Sequence, residues 1–138
     1  MSVSTNAADT SWLLGTIPQL QGVRHTLLVT SDGLVKAQCE NTPRDTAERT
    51  AAAVGGAQSL AKGIAAEFGP EGAVPLQSVV AFTDGHMFMR AAAEGSVLVV
   101  VTDAQADPGA VAQFMAQQVQ QLGRNLATPA RTPDPAHD

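Results

Sequence analysis

The run Ser96-Val97-Leu98-Val99-Val100-Val101-Thr102 is aliphatic at every position between its two hydroxyl-bearing ends. Side chains alternate across a β-strand, so this segment offers apolar groups to both faces of a sheet. It belongs in the middle of that sheet, with helix packed on each side. It is far too short to cross a bilayer, which needs about 20 apolar residues.

Two Asp-Gly pairs supply the rest of the sheet. Asp32-Gly33 separates the apolar runs 24–29 and 34–39, and Asp84-Gly85 separates 76–82 from 86–92. Asp-Gly between two such runs predicts a tight β-hairpin, because the turn needs a residue at positive φ. Glu94-Gly95 then turns the chain into the strand at 96–102. With every strand joined to the next by a short turn, the sheet is expected to be mainly antiparallel.

Three helices are expected around it. Asp9, Thr10 or Ser11 can cap a short first helix with Leu13, Leu14 and Ile17 as its apolar stripe, limited by Pro18 and Gly22. The second is long. Thr42 can cap it, Pro43 suits its first position, Asp45 meets the free amides, and Gly69-Pro70 stops it after Phe68. That is about 26 residues, or roughly 39 Å. The last begins at Asp107-Pro108, with Val111, Phe114, Met115, Val119, Leu122 and Leu126 on one side and Gln113, Gln117, Gln120 and Gln121 on the other. The order is α-β-β-α-β-β-β-α, an α+β fold with a five-stranded antiparallel sheet between helices. Residues 1–8 read as a flexible start, 9–126 as one domain and 127–138, with Pro129, Pro133 and Pro135, as a disordered tail.

Placing residues 100° apart divides the long helix into three faces. Ala53, Ala57, Leu60, Ile64 and Phe68 are expected to meet the sheet. Ala52, Gly56, Ser59 and Gly63 form a stripe of small residues beside them. Arg44, Glu48, Ala51, Gly55, Gln58, Lys62 and Ala66 form the third, mixed face. A helical glycine costs about 1 kcal/mol relative to alanine, so Gly55, Gly56 and Gly63 need an offsetting contact. Close approach of another helix, such as the same helix of a second copy, is one. The strand at 76–82 is an expected sheet edge whose Val79, Val80, Ala81 and Phe82 lack the charge or proline that protects an edge. Pairing it with its own copy covers it.

The chemistry of the remaining residues excludes several classes. The net charge is −5 and no segment concentrates Lys or Arg, so neither nucleic acid nor an anionic membrane surface is an expected partner. Cys39 is the single cysteine; it forms no intrachain disulfide, makes no zinc site alone, and suits a reducing cytoplasm. No signal peptide is evident at the start. There is no P-loop, no Gly-x-Ser-x-Gly elbow and no His-Glu-x-x-His. His25, His86 and His137 are scattered, and Asp32 and Asp84 are accounted for by turn chemistry. Arg24, Arg44, Arg49 and Arg90 raise the question of an arginine finger, but solvated or ion-paired arginine is the plainer reading. No catalytic residue, cofactor or metal ligand is expected.

Gly22-Val23, Leu27-Leu28-Val29, Asp32-Gly33-Leu34-Val35 and Ala37 resemble the opening helix and hairpin of the roadblock/dynein light chain family. The long small-residue helix, the Asp84-Gly85 hairpin, the 97–101 strand and the Asp107-Pro108-Gly109 helix start follow in the same order. The resemblance covers residues 9–126 and looks most like actinobacterial members. It implies a profilin-like layering and a homodimer joined through the third strand and second helix, at Ala52, Gly56, Ser59, Gly63, Val79, Val80, Ala81 and Phe82. It also implies a non-catalytic regulator or scaffold for a small Ras-like GTPase. Such a protein would be cytoplasmic, drawn to a membrane only through a partner, and sometimes accompanied by a sensor-kinase-like protein. The face with Arg44, Glu48, Ala51, Gly55, Gln58 and Lys62 is the expected GTPase contact. A small-molecule sensor of PAS or GAF type, and a dimeric adaptor without effect on nucleotide turnover, are the alternatives.

Overall fold

The computed structural model describes residues 12–127. The expected flexible start at 1–8, the caps Asp9, Thr10 and Ser11, and the tail beyond Ala127, with His137, lie outside the described residues. Ala127 itself, expected to open the tail, is the last residue of the final helix.

Five strands form one sheet: β1 (Val23–Thr30), β2 (Val35–Gln38), β3 (Gln77–Phe82), β4 (Gly85–Ala91) and β5 (Ser96–Asp103). Their order is β2-β1-β5-β4-β3, and every neighbouring pair is antiparallel. The doubly apolar segment is β5, in the centre, where Val97, Leu98, Val99 and Val100 are all buried. The segment with the unprotected edge is β3.

The two faces of β5 carry separate cores. Leu98 and Val100 pack with Leu28, Phe88 and Cys39 beneath α2 (Pro108–Ala127), through its Val111, Met115 and Leu122. Val97 and Val99 pack with Leu27, Val29 and Met89 beneath α1 (Arg44–Phe68), through its Ala47, Ala51 and Val54. Helix, sheet and helix thus form three layers, and Phe88 is the one aromatic side chain among the buried hydrophobic residues described.

In place of the expected first helix, the described chain has two 3-10 turns, Trp12–Leu14 and Ile17–Gln19. Gly15 at φ +63° breaks the segment between them, and a left-handed residue cannot sit inside a right-handed helix. Its apolar residues still do the expected work, since Leu13, Leu14 and Ile17 are buried under α2.

The hairpin turns also differ in detail. In the first, Gly33 itself takes positive φ, at +100°. In the second, Phe82 pairs with Gly85, so the loop is Thr83-Asp84 and the left-handed residue is Asp84, at φ +67°. Gly85 is required for another reason. A β-carbon there would stand 2.3 Å from the Thr102 carbonyl oxygen.

Candidate interaction surface

α1 has 25 residues, or about 37 Å of helix. It lies over β1 and β2. Its buried residues are Ala47, Ala51, Val54 and Gln58, spaced as one helical face. Of the face expected to meet the sheet, only Ala57 packs against the core, half-buried, and the expectation for Ala53, Leu60, Ile64 and Phe68 is overturned. Leu60 is 74% exposed, Ile64 63% and Phe68 82%. The larger side chains point outward because the sheet surface is already filled by valine, leucine and methionine, leaving room only for small residues beneath the helix.

This reversal divides the face assigned to a GTPase. Ala51 and Gln58 are buried against the sheet and cannot touch a partner. Gly55 is half-buried, because its helix turn rests on the β1–β2 hairpin: a β-carbon there would lie 3.3 Å from the Gly33 Cα. The offsetting contact for this glycine is thus within the chain. Arg44, Glu48 and Lys62 remain exposed, and Arg44 Nε donates to Glu48 Oε2 at 3.2 Å, one turn along the helix. Such an exposed pair contributes little to stability.

The residues assigned to a dimer seam all lie at the surface. Ala52, Gly56, Ser59 and Gly63 are exposed, and β-carbons at Gly56 and Gly63 would meet nothing within 4 Å among the described residues. They adjoin Leu60 and Ile64 on the helix, so small and large apolar residues make one outward strip. On β3, Ala81 is exposed, and Val79, Val80 and Phe82 are 47%, 48% and 49% exposed. By register, Val80 stands opposite Met87, on the α1 side of the sheet, where Met87 and Val101 are only partly covered. Apolar side chains in this number at the surface are more than singly scattered exposure.

One polar cluster was not foreseen. The Thr42 hydroxyl, expected to cap α1, lies 2.8 Å from His25 Nδ1 and 3.0 Å from Cys39 Sγ. The Thr26 amide donates to the same sulfur at 3.3 Å. Pro43 takes the cap position without a side-chain hydrogen bond. The cluster ties the start of α1 to β1 and the end of β2. Two of its three contacts join residues thirteen and seventeen apart in the chain, so local sequence carried no signal for the cluster as a whole. Burial first, and the neighbouring Arg24 charge second, hold His25 below the ordinary imidazole value of 6.5.

No acid–base constellation emerges elsewhere among the described residues. His86 stacks on Phe88 with centroids 5.8 Å apart, and the Thr30 hydroxyl bonds Asp32 in the first turn. Arg24, His25, Asp84 and Asp103 border a shallow open depression of about 290 Å³ with mixed charge. Among the described residues no group of three His, Cys, Asp or Glu side chains is placed to hold a metal ion. No described helix is long and apolar enough to cross a membrane.

Comparison with known proteins adds to this geometry. The Roadblock/LC7 domain family model matches residues 12–102. A Roadblock/LC7 domain from Streptomyces avermitilis shares 30% identity, with 85% of this chain and 97% of that one covered at a TM-score of 0.76. The gliding protein MglB from Thermus thermophilus shares 22% identity over 86% of this chain and 89% of its own, with a TM-score of 0.74. An MglB described as having a tetrameric arrangement shares 21% over 86% and 88%, also at 0.74. No protein of curated function matches the sequence.

Proposed function

The chain belongs to the Roadblock/LC7 family, and from that premise we propose that it is a homodimeric regulator or scaffold for a small Ras-like GTPase. The family is not an enzyme family, so the action is one of binding. The observations that carry the reading are the outward apolar strip of α1, over β1 and β2, and the unpaired edge of β3 at the other end of the strand order. An open edge beside half-exposed valines is a template for pairing. A second copy would extend the sheet through β3 and lay its α1 against Leu60, Ile64 and Phe68. The small residues Ala52, Gly56, Ser59 and Gly63 would let the two helices approach closely. The tetrameric arrangement described for one MglB lends support to self-association on this fold.

The GTPase would meet the paired helices on their outer side, with Arg44, Glu48 and Lys62 as the charged contacts. The resemblance to bacterial roadblock proteins that accompany Ras-like GTPases supports the choice of partner. Regulation would follow from stabilising one arrangement of the GTPase's own catalytic residues. A sensor-kinase-like protein is a further candidate for the complex, and recruitment to a membrane would come through such partners.

The test is co-purification with the small GTPase encoded nearest to this protein, loaded with GDP or a GTP analogue, followed by turnover. Binding that depends on nucleotide state is the expected result, and turnover then separates an activator from a scaffold. Absence of binding in both states would remove the GTPase from this reading.

A further inference from the structure

The sheet face opposite α1 carries a second unpartnered surface, formed by β3, β4 and one flank of α2. Val79 stands opposite Phe88, Gln77 opposite Arg90 and Ala81 opposite His86. Phe88 belongs to the core beneath α2, so Gln77, Val79 and Ala81 point to the α2 side, with His86 and Arg90 beside them. Val79 is 47% exposed there, and Gln77 and Ala81 are exposed as well.

The flanks of α2 differ. Gln118 Nε2 donates to the Leu13 carbonyl at 2.8 Å, so that flank faces the 3-10 turns. At 100° per residue, the flank turned toward β3 carries Ala112, Ala116, Val119 and Gly123, all half-buried. A β-carbon at Gly123 would meet nothing within 4 Å among the described residues.

We infer that in the dimer this face is a docking trough for one acidic amphipathic helix of a partner protein. The inference rests on the proposed pairing of β3 with its copy, which brings two such flanks face to face. The floor from β4 of one protomer to β4 of the other is three strand spacings, about 14 Å. One helix about 10 Å wide fills that width and two do not. An extended segment would leave its amides and carbonyls unpaired over valine and alanine, whereas a helix pairs its own. The small residues of the α2 flanks admit a helix at close range.

Charge selects the sign. The β3 and β4 residues on this face include Arg90 and His86 and no carboxylate, while Asp84 and Glu94 stand in the turns before and after β4. Arg90 Nη1 donates to the neutral Gln77 Oε1 at 2.6 Å. Its remaining donors suit a carboxylate, which a guanidinium binds in a two-point fork. Antiparallel pairing of the β3 strands puts one Arg90 toward each end of the trough, so the partner helix carries acidic residues near both ends.

Two synthetic helical peptides of about 16 residues, some 24 Å long, test this. Each has leucine and alanine on one face; one is flanked by glutamates and the other by lysines. The full chain is titrated with each by calorimetry and followed by amide NMR, after sedimentation has established its oligomeric state. The glutamate peptide is expected to bind at least about tenfold more tightly than its lysine twin, shifting Val79, Ala81, His86 and Gly123. Arg90→Glu should reverse that preference. Gly123→Leu, whose β-carbon meets no neighbour within 4 Å among the described residues, should block both peptides without unfolding the protein. A dimer that binds neither peptide, or binds the glutamate peptide through α1 or independently of Arg90, overturns the inference alone. A monomer on sedimentation overturns the pairing on which it rests.

Discussion

Gly33 and Gly55 meet backbone to backbone: a β-carbon on Gly55 would lie 3.3 Å from the Gly33 Cα, and one on Gly33 would lie 3.3 Å from the Ala51 carbonyl oxygen. The helix and the first hairpin turn are seated on each other through these two positions, and neither neighbour is a flexible side chain.

Gly55→Leu should therefore destabilise the folded protomer by about 1–3 kcal/mol through overpacking. Gly56→Leu and Gly63→Leu meet open space among the described residues, so their cost of about 1–3 kcal/mol should fall on the dimer. Urea unfolding at two protein concentrations distinguishes them. A loss independent of concentration is expected for Gly55, and a concentration-dependent one for the other two. An unchanged dimer in the Gly56 and Gly63 variants would move the seam elsewhere.

Leu60→Asp and Ile64→Asp alter side chains that are 74% and 63% exposed in the protomer. Circular dichroism of each variant should match the parent. Sedimentation equilibrium should show dissociation, because a buried unpaired carboxylate at an interface costs several kcal/mol. A dimer unaffected by both changes would exclude the outer strip of α1 from it.

At the second hairpin the two residues have opposite requirements. Asp84 sits at φ +67°, so Asp84→Gly should be neutral or stabilising and Asp84→Val destabilising by about 1–2 kcal/mol. Gly85→Ala should cost more than either, since its β-carbon would lie 2.3 Å from the Thr102 carbonyl oxygen. Thermal melts of the three variants should rank Gly85→Ala lowest.

His25 predicts a pH dependence. Its folded pKa lies below 6.5, chiefly through burial. Between the folded value and 6.5 the unfolded chain binds more protons, so stability rises with pH there. The contribution is fully present above 6.5 and is lost as pH falls through the folded value. The melting temperature should drop as pH is lowered from about 7.5 to about 5, and His25→Gln should flatten that part of the profile. An identical slope in the variant would assign the effect to other groups.

Much of the architecture was legible along the chain. The Asp-Gly pairs, the doubly apolar β5 segment and the Gly69-Pro70 stop act within a few residues, and each specifies an element, its end or its layer. The 3-10 breakdown around Gly15 was less legible, because Leu13, Leu14 and Ile17 satisfy a helical spacing whether or not Gly15 turns left-handed. The Thr42 cluster joins residues from β1, the end of β2 and the start of α1, and a hydroxyl before Pro43 reads locally as a cap.

Period and length, then, were properties of the sequence: the strands, the long helix, their order and the central place of β5 follow from spacing and turn chemistry alone. The rotational phase of α1 was decided by tertiary structure. Two of its faces are apolar, and size alone favours Leu60, Ile64 and Phe68 for burial. The sheet instead takes Ala47, Ala51 and Val54, because close packing against a surface crowded with aliphatic side chains admits small residues and excludes large ones.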